Sequence, residues 1–214
     1  MTRPGPSLPT LFDRALRSTD TTDPADARLY ESVLTAIGRA GSRAITMATM
    51  ATATGVSRAT LFRRFGSKET LLERAIGYAL QRMQGEVASI FSNVDDPAER
   101  IVETFAGCVR FSNLLVPPDA APERRAELLG LLTRGEPSPA QIAQRFVAGH
   151  IAQAQQEGRI PAGDPDLQAG ALIRITIGYL ITPGLPENLI DQAVVERIAR
   201  GTVAPIITAP GAFD

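Results

Sequence analysis

Three observations predict an all-α fold for this chain of 214 residues. Apolar residues recur at spacings of three and four along successive segments, which places them on one side of a helix. The segments begin at Thr, Ser or an Asp followed by Pro, and several end at glycine, as helices do. Hydrophobic residues make up 44% of the chain, which suffices for one good core or two modest ones. The sequence therefore predicts helices packed around a buried interior.

The composition is that of a soluble globular protein. Mean hydropathy is close to zero, and no apolar run reaches the length of a membrane span. The first residues, MTRPGPSLPTLFDR, carry proline and aspartate where a secretory signal has its apolar segment. The lone Cys108 excludes an intramolecular disulfide framework and does not make a metal site by itself. We therefore expect a cytoplasmic protein with no membrane partner.

Residues 1–25 form a weakly specified arm. Four prolines stand in it, with threonine and aspartate between them, and they leave room for one short helix at 11–17. We expect this arm to be flexible or loosely packed.

The first firm helix is predicted from Asp26 to about Arg39, where Gly41 ends it. Its apolar residues form one stripe along the helix: Leu29, Tyr30, Val33, Leu34 and Ile37. A stripe of this kind needs a partner to cover it. The next two short helices supply that partner through Met47, Met50, Ala51, Val56, Leu61 and Phe65.

The two short helices are separated by a tight turn. A helix rich in small residues runs from Met47 to Thr54, Gly55 ends it, and Ser57 is placed to cap the next one. This order predicts a helix-turn-helix within a three-helix domain.

Basic side chains are concentrated in this region. Residues 43–74 carry six basic and two acidic side chains, for a net charge of +4 in a chain whose total is −1. A local positive patch on an otherwise acidic protein orients it on a polyanion. A solvated helix face is an equally weighted interpretation on charge alone.

The residues in and around the turn resemble the amino-terminal DNA-binding domain of the tetracycline-repressor (TetR) family of bacterial transcriptional regulators. The resemblance covers roughly residues 26–75, and the remainder matches only in its helical organisation. It is carried by Thr46, Ala51, Gly55-Val56-Ser57, Thr60-Leu61-Phe62, Phe65, Ser67-Lys68-Glu69 and Leu71-Leu72.

The resemblance implies a set of DNA contacts. Ser57 caps the recognition helix or bonds a phosphate, and Lys68 acts as a phosphate clamp. Arg58 and Thr60 read base edges, and arginine can donate two hydrogen bonds to guanine. The expected DNA-binding residues are Thr46, Ser57, Arg58, Ala59, Thr60, Phe62, Arg63, Arg64 and Lys68.

Two of these residues depart from the family pattern. Phe62 stands where tyrosine is common, so the hydroxyl that would contact a phosphate is missing. The ring can serve in packing instead. Arg64 stands where tyrosine or histidine is common, and its charge could replace the lost contact. For every residue in the expected DNA-binding set, the alternative is that it caps a helix or lies on the solvated surface without contacting DNA.

The remaining chain is predicted to be helical throughout. The Pro and Asp signals predict helices at about 67–91, 97–115, 122–133, 139–158 and 165–181, and a final helix from about Glu187 to Arg200. The segment AGALIRITIGYLI is apolar around nearly its whole circumference, which calls for a partner beyond its own domain. We expect a homodimer, as the family resemblance also implies; a monomer with a deeply buried core helix is the alternative.

Catalytic machinery is not evident from the sequence. One histidine, one cysteine and no phosphate-cradling glycine motif lead us to expect no enzyme activity, no cofactor and no metal site. The candidate ligand contacts are Phe105, Cys108, Phe111, Phe146, His150 and Arg174. For the first five the alternative role is packing in the core, and for Arg174 it is a contact with a partner inside the protein.

The expected function is that of a transcriptional regulator, in particular a repressor released from operator DNA by a small molecule. The predicted domains are a flexible arm (1–25), a helix-turn-helix DNA-binding domain (26–75) and a helical ligand-binding and dimerisation domain (76–214). Two alternatives stay open: a helix-turn-helix module that binds protein, and a small helical ligand-binding protein without DNA binding.

Overall fold

A computed structural model of the chain describes residues 10–11, 14–15, 23–118, 120–182 and 188–211. These residues contain helices and no strand, so the all-α prediction is confirmed. The α-helices are α1 (Ala27–Ala40), α2 (Met47–Thr54), α3 (Arg58–Phe65), α4 (Lys68–Asn93), α5 (Pro97–Leu115), α6 (Pro122–Thr133), α7 (Pro139–Gln156), α8 (Pro165–Ile181), α9 (Gln192–Ile198) and α10 (Pro205–Thr208).

The chain divides into two compact units. The amino-terminal unit comprises Met1–Gln84 and Phe111–Leu131, and the carboxy-terminal unit comprises Gly85–Arg110 and Leu132–Asp214. The first boundary falls inside α4 and the second inside α5, so each of these helices contributes residues to both units. The division into DNA-binding and ligand-binding domains at residue 75 concerns function and stays a prediction.

The core of the amino-terminal unit is built on the stripe of α1. Tyr30, Val33, Leu34 and Ile37 are all buried, as are the apolar residues that α2 and α3 turn inwards (Met47, Met50, Leu61 and Phe65). The rings of Tyr30 and Phe65 meet edge to face, with centroids 6.3 Å apart. Full burial of each such side chain contributes about 1.5–3 kcal/mol. This packing is the one that the apolar spacing predicted, except that Leu29, Ala51 and Val56 are only half-buried.

Part of the arm belongs to this core. Residues 10–11 and 14–15 are helical, and Leu11 is completely buried. Arg14 donates a hydrogen bond of 2.9 Å to the carboxylate of Glu73 on α4. The flexibility expected for the rest of residues 1–22 concerns positions that lie outside the described residues.

Side-chain caps begin α7 and α8 in the carboxy-terminal unit. Ser138 and Gln141 form a reciprocal capping box at the start of α7, with bonds of 3.3 Å and 2.7 Å. Asp164 accepts two backbone N–H groups at the start of α8. Buried Gln168 on α8 donates to the carbonyl of Ile206 and accepts a hydrogen bond from Gln155, so its polar atoms are satisfied.

The predicted start of the last helix was wrong. Glu187 lies outside the described residues, and residues 189–190 form a turn that leaves Ile190 70% exposed. Helix α9 begins instead at Gln192, because the carboxylate of Asp191 accepts the N–H of Ala193. The apolar pattern alone did not reveal this local hydrogen bond, which ends the turn and begins the helix. Beyond α9 the chain continues through a π-helical turn at Ala199–Val203 into α10.

Close packing in the amino-terminal unit requires a residue without a side chain at Gly38. A Cβ atom there would lie 2.5 Å from Cδ of Pro117 and 2.9 Å from the carbonyl oxygen of Leu115. The first atom belongs to a stiff proline ring and the second to backbone, so neither moves cheaply. The absence of a side chain therefore lets α1 pack directly against the end of α5.

We predict that Gly38→Ala destabilises the protein by about 1–3 kcal/mol, since it overpacks this contact. Urea denaturation followed by circular dichroism measures the change. Gly149→Ala on α7 is the matched control, because no atom lies within 4 Å of its added Cβ. The control should raise stability by about 0.5–1 kcal/mol through helix propensity. Equal midpoints for the two variants would contradict the packing assigned to Gly38.

Candidate nucleic-acid interface

Two side-chain caps and a glycine shape the helix-turn-helix. The hydroxyl of Thr46 accepts the N–H of Thr49 at 3.1 Å, which begins α2. Gly55 ends α2 with φ of 69°, a left-handed conformation that favours glycine. The hydroxyl of Ser57 accepts the N–H of Thr60 at 3.1 Å and donates to its side-chain oxygen at 2.9 Å. The predicted caps and turn are therefore all present.

Helix α3 has an inner and an outer face. Leu61 and Phe65 are buried four residues apart, while Arg58, Ala59, Phe62 and Arg63 are exposed on the opposite side. Thr60 is half-buried between the two faces. The small side chain of Ala59 keeps the backbone of α3 accessible from outside, so another molecule can approach the helix closely.

Arg58 and Phe62 form a pair on the outer face. The guanidinium carbon of Arg58 lies 5.4 Å from the centroid of the Phe62 ring, and that ring is 39% exposed. A cation held over an aromatic face keeps its N–H groups directed outwards in the guanidinium plane. Phe62 thus provides a platform for Arg58 in place of a hydroxyl contact.

Arg64 has an internal partner that the sequence reasoning missed. Its guanidinium lies 2.5 Å from the carboxylate of Asp26, whose side chain is only 6% exposed. The same guanidinium lies 5.5 Å from the ring centroid of Phe65. The only sign of this ion pair in the sequence is Asp26, which stands at the predicted start of α1. In this structure the charge of Arg64 is therefore neutralised from within the protein.

Lys68 also makes internal contacts. Its ammonium group donates to the carbonyl oxygen of Ile45 at 3.2 Å and lies 3.5 Å from that of Ser42. Both carbonyls belong to the loop between α1 and α2, so Lys68 ties that loop to the start of α4. An ammonium group has three donors, which leaves one for an outside acceptor.

The outer face is positively charged. Arg43, Arg58 and Arg63 are exposed, and no acidic residue occurs in the sequence from residue 43 to residue 68. The first N–H groups of α3 add partial positive charge near Ser57. Cations, helix dipole and an accessible backbone together favour a polyanion that fits against α3.

The residues expected to line a ligand pocket do not form one cluster. Phe105 is buried against Tyr179, with ring centroids 5.5 Å apart, and Phe111 belongs to the amino-terminal unit. Burial raises the pKa of the Cys108 thiol to about 11, so it stays protonated at neutral pH. Arg174 donates to the carbonyl oxygen of Gly170 one turn earlier in its own helix at 2.9 Å.

His150 and Phe146 do lie together, beside a groove in the carboxy-terminal unit. The His150 ring centroid is 4.3 Å from that of Phe91 and 4.6 Å from that of Phe146. The groove contains about 320 Å³ of empty space, including open solvent. It is lined by Phe91, Pro97, Arg100, Ile101, Val147, His150, Ile151, Ala154, Ile160 and Ile207.

Arg100 is the lining residue that sequence reasoning missed. Its position one turn after the start of α5 resembles an ordinary solvated arginine, and only the fold brings it to Phe91 and His150. Burial, followed by the nearby charge of Arg100, lowers the pKa of His150. The imidazole is therefore largely neutral at pH 7.

Metal sites and membrane-spanning helices are both absent from the described part of the chain. It holds no cluster of three or more histidine, cysteine or acidic residues that could bind a metal ion. None of its helices combines the length and the apolar character that crossing a membrane requires.

Residues 34–75 match the family model of bacterial regulatory proteins of the tetR family. No curated protein matches the chain. Among solved structures, this chain is similar to the TetR family transcriptional regulator PfmR from Thermus thermophilus, with 22% sequence identity and a TM-score of 0.52. The match covers 84% of this chain and 97% of PfmR.

Other solved structures agree with this likeness. Apo AibR has 18% identity, 86% of this chain and 99% of that chain covered, and a TM-score of 0.57. A regulator of the TetR/AcrR family from Thermobifida fusca has 18% identity, with 84% and 98% covered and a TM-score of 0.50. Identities this low establish a common fold. Residues 34–75 therefore match the model of the TetR-family amino-terminal domain, and the chain shares the fold of solved TetR-family regulators.

Proposed function

We propose that this protein is a homodimeric DNA-binding transcriptional regulator, and in particular a repressor that a small molecule releases from its operator. The observation that carries the proposal is the outer face of α3, where Arg58 and Arg63 flank Ala59 behind the Ser57 cap. The match of residues 34–75 to the TetR-family model supports it. A cytoplasmic location and the absence of enzyme activity accompany this proposal.

Structures with the same fold support both halves of the proposal. AibR has been solved with isovaleryl coenzyme A and operator DNA, and its TM-score with this chain is 0.56. A cysteine mutant of CifR has been solved with a 26-base-pair double-stranded operator, at a TM-score of 0.52. The fold therefore accommodates operator DNA and, in AibR, a small-molecule ligand.

In the proposed complex, α3 enters the major groove. Arg58, held over Phe62, donates two hydrogen bonds to a guanine, and Ala59 touches a thymine methyl group. Arg63, one turn after Ala59, contacts a base or a phosphate. Thr60 and Thr46 supply hydroxyl donors at the edge of the interface, and the N–H groups beside Ser57 donate to a phosphate.

Release follows from a population shift. A ligand that binds the carboxy-terminal unit favours a subunit arrangement in which the two recognition helices are wrongly spaced for successive major grooves. Helices α4 and α5 contribute to both units, which provides a continuous covalent and hydrogen-bonded path between them.

Dimerisation is proposed to use the apolar helix α8. Ile173, Ile175 and Ile177 remain partly exposed on this helix, and their coverage by a second subunit would remove apolar surface from water. Paired recognition helices in a dimer also match the two-fold symmetry of operator half-sites.

We predict that Arg58→Ala weakens binding to DNA from upstream of the gene by about 10- to 100-fold, because it removes a base contact worth about 1–3 kcal/mol. Fluorescence anisotropy titration measures the affinity. Arg145→Ala, which removes an arginine of α7 in the carboxy-terminal unit, is the matched control and should leave the affinity unchanged.

Two results would favour the alternatives. A helix-turn-helix that binds protein would give dimers and no DNA binding in either variant. A ligand-binding protein without DNA binding would bind a metabolite regardless of Arg58. A slope near zero in log K against log salt would also contradict the proposal, since each phosphate that the protein neutralises contributes about −0.9 to the slope.

We predict that Asp26→Asn strengthens non-specific DNA binding, because it removes the carboxylate that neutralises Arg64. The freed guanidinium gains a phosphate, which steepens the salt slope by about one per subunit. Anisotropy with a DNA of unrelated sequence measures both quantities. The double variant Asp26→Asn/Arg64→Ala should lose the gain. An unchanged slope in Asp26→Asn with normal circular dichroism would exclude Arg64 from phosphate contact.

We predict that Ile177→Glu dissociates the proposed dimer, since a carboxylate buried in an apolar interface is strongly unfavourable. Sedimentation velocity at micromolar concentration should show a shift from dimer to the 22.8 kDa monomer. Leu129→Glu, at a comparably apolar exposed position of α6, is the control and should remain dimeric. A wild-type protein that sediments as a monomer would contradict the dimer itself.

A further inference from the structure

We propose that the groove beside Phe91 binds a small organic carboxylate with an apolar body, and that Arg100 holds its carboxylate group. That this compound acts as the effector rests on the proposed function. That the groove binds it does not, because the groove and its contacts lie within the carboxy-terminal unit.

The walls of the groove are mostly apolar. Ile101, Val147, Ile151, Ala154 and Ile160 line it together with the ring of Phe91. An apolar ligand body that displaces water from these side chains gains about 25 cal/mol for each Å² that it covers. This wall composition disfavours a sugar or another polyhydroxylated compound, whose hydroxyl groups would lose their water without gaining partners.

Arg100 supplies the charge. Its Nε donates to the carbonyl oxygen of Val94 at 2.5 Å, and its guanidinium carbon lies 5.5 Å from the Phe91 ring centroid. These two contacts hold the side chain in place and leave its terminal nitrogens with further N–H donors. Arg100 is half-buried, and within the described residues no carboxylate forms an ion pair with it. Glu157 lies near enough to interact electrostatically with Arg100, but its carboxylate is paired with Arg159. A fixed, partly desolvated guanidinium favours a planar anion that can accept two hydrogen bonds.

His150 adds a second polar group to the same groove. Its neutral ring is tilted against Phe91 and meets Phe146 edge to face, so it offers one N–H donor and carries little positive charge of its own. The charge that selects the ligand therefore comes from Arg100. The 320 Å³ of empty space includes open solvent, so the groove encloses a ligand only in part and favours a small one. A short acyl acid or a single-ring aryl acid fits this description.

Arg159 provides a matched comparison. Its guanidinium donates to the carbonyl oxygen of Asp95 at 2.9 Å and pairs with Glu157 at 2.5 Å. Arg100 and Arg159 thus both support the loop between α4 and α5. Of the two, Arg100 lines the groove and Arg159 does not. A variant of Arg159 therefore reports loss of loop support without loss of the proposed anion contact.

Isothermal titration calorimetry with two carboxylates, octanoate and 4-phenylbutanoate, tests the proposal against their neutral primary amides. The wild type should bind at least one acid more tightly than its amide. Arg100→Gln should weaken binding of that acid by at least about tenfold, the value expected when a hydrogen bond to a charged group is lost, and should leave the amide unchanged. Arg159→Gln should leave both affinities unchanged, and Val147→Trp should abolish both by filling the groove.

Several outcomes would overturn the proposal. The proposal fails if the wild type binds neither acid, or if it binds an acid and its amide with equal affinity. Equal losses in Arg100→Gln and Arg159→Gln would assign the effect to the loop, and unaltered binding in Val147→Trp would place the ligand elsewhere.

A second readout separates this proposal from the proposed function. DNA affinity is measured by anisotropy with and without the acid that binds. Release of DNA by the acid in the wild type, and its loss in Arg100→Gln, would support the effector role. Binding of the acid without any change in DNA affinity would refute that role. A protein that binds the acid but no DNA at all would refute the proposed function and leave the groove assignment standing.

Discussion

The outer face of α3 depends on the burial of Leu61 and Phe65. This helix has only eight residues, and isolated helices shorter than about 12–15 residues are marginal in water. Its stability must therefore come from packing, and the edge-to-face contact of Phe65 with Tyr30 on α1 is part of it. The Ser57 cap adds about 1 kcal/mol at the start of the helix. These contacts present Arg58, Ala59 and Arg63 outwards on a rigid scaffold.

The basic residues of the helix-turn-helix divide into two groups with different roles. Arg64 and Lys68 are engaged with Asp26 and with the carbonyl groups of the preceding loop, so they stabilise the domain. Arg58 and Arg63 stay on the surface, and the first is oriented by Phe62. The net charge of the region overstates the charge available to a ligand, because part of it is neutralised inside the protein. A count of basic residues is thus a poor measure of phosphate contacts.

The same distinction applies to the arginines of the carboxy-terminal unit. Arg110 and Arg200 pair with Glu86 and Glu99, and Arg174 is satisfied by a carbonyl of its own helix. Arg100 is half-buried beside an aromatic ring and makes no such ion pair within the described residues. The arginine in the apolar helix, which the sequence singled out, therefore has an ordinary internal partner. The arginine near a helix start lines the groove.

The sequence by itself determined the helical fold, the caps at Thr46, Ser57 and Asp164, and the likeness of residues 34–75 to the TetR-family amino-terminal domain. These features depend on neighbouring residues, so periodicity and local hydrogen-bonding chemistry are enough to predict them. The start of the last helix is set by the local cap at Asp191, which apolar spacing does not reveal.

Only the tertiary structure decided the partners of the charged and aromatic side chains. The contacts of Arg64 with Asp26, of Lys68 with Ile45 and of Phe91 with His150 join residues far apart in the chain. A carboxylate or a carbonyl can accept a hydrogen bond from any cation that reaches it. Which cation does so is set by how the helices pack, and helix periodicity carries no information about that.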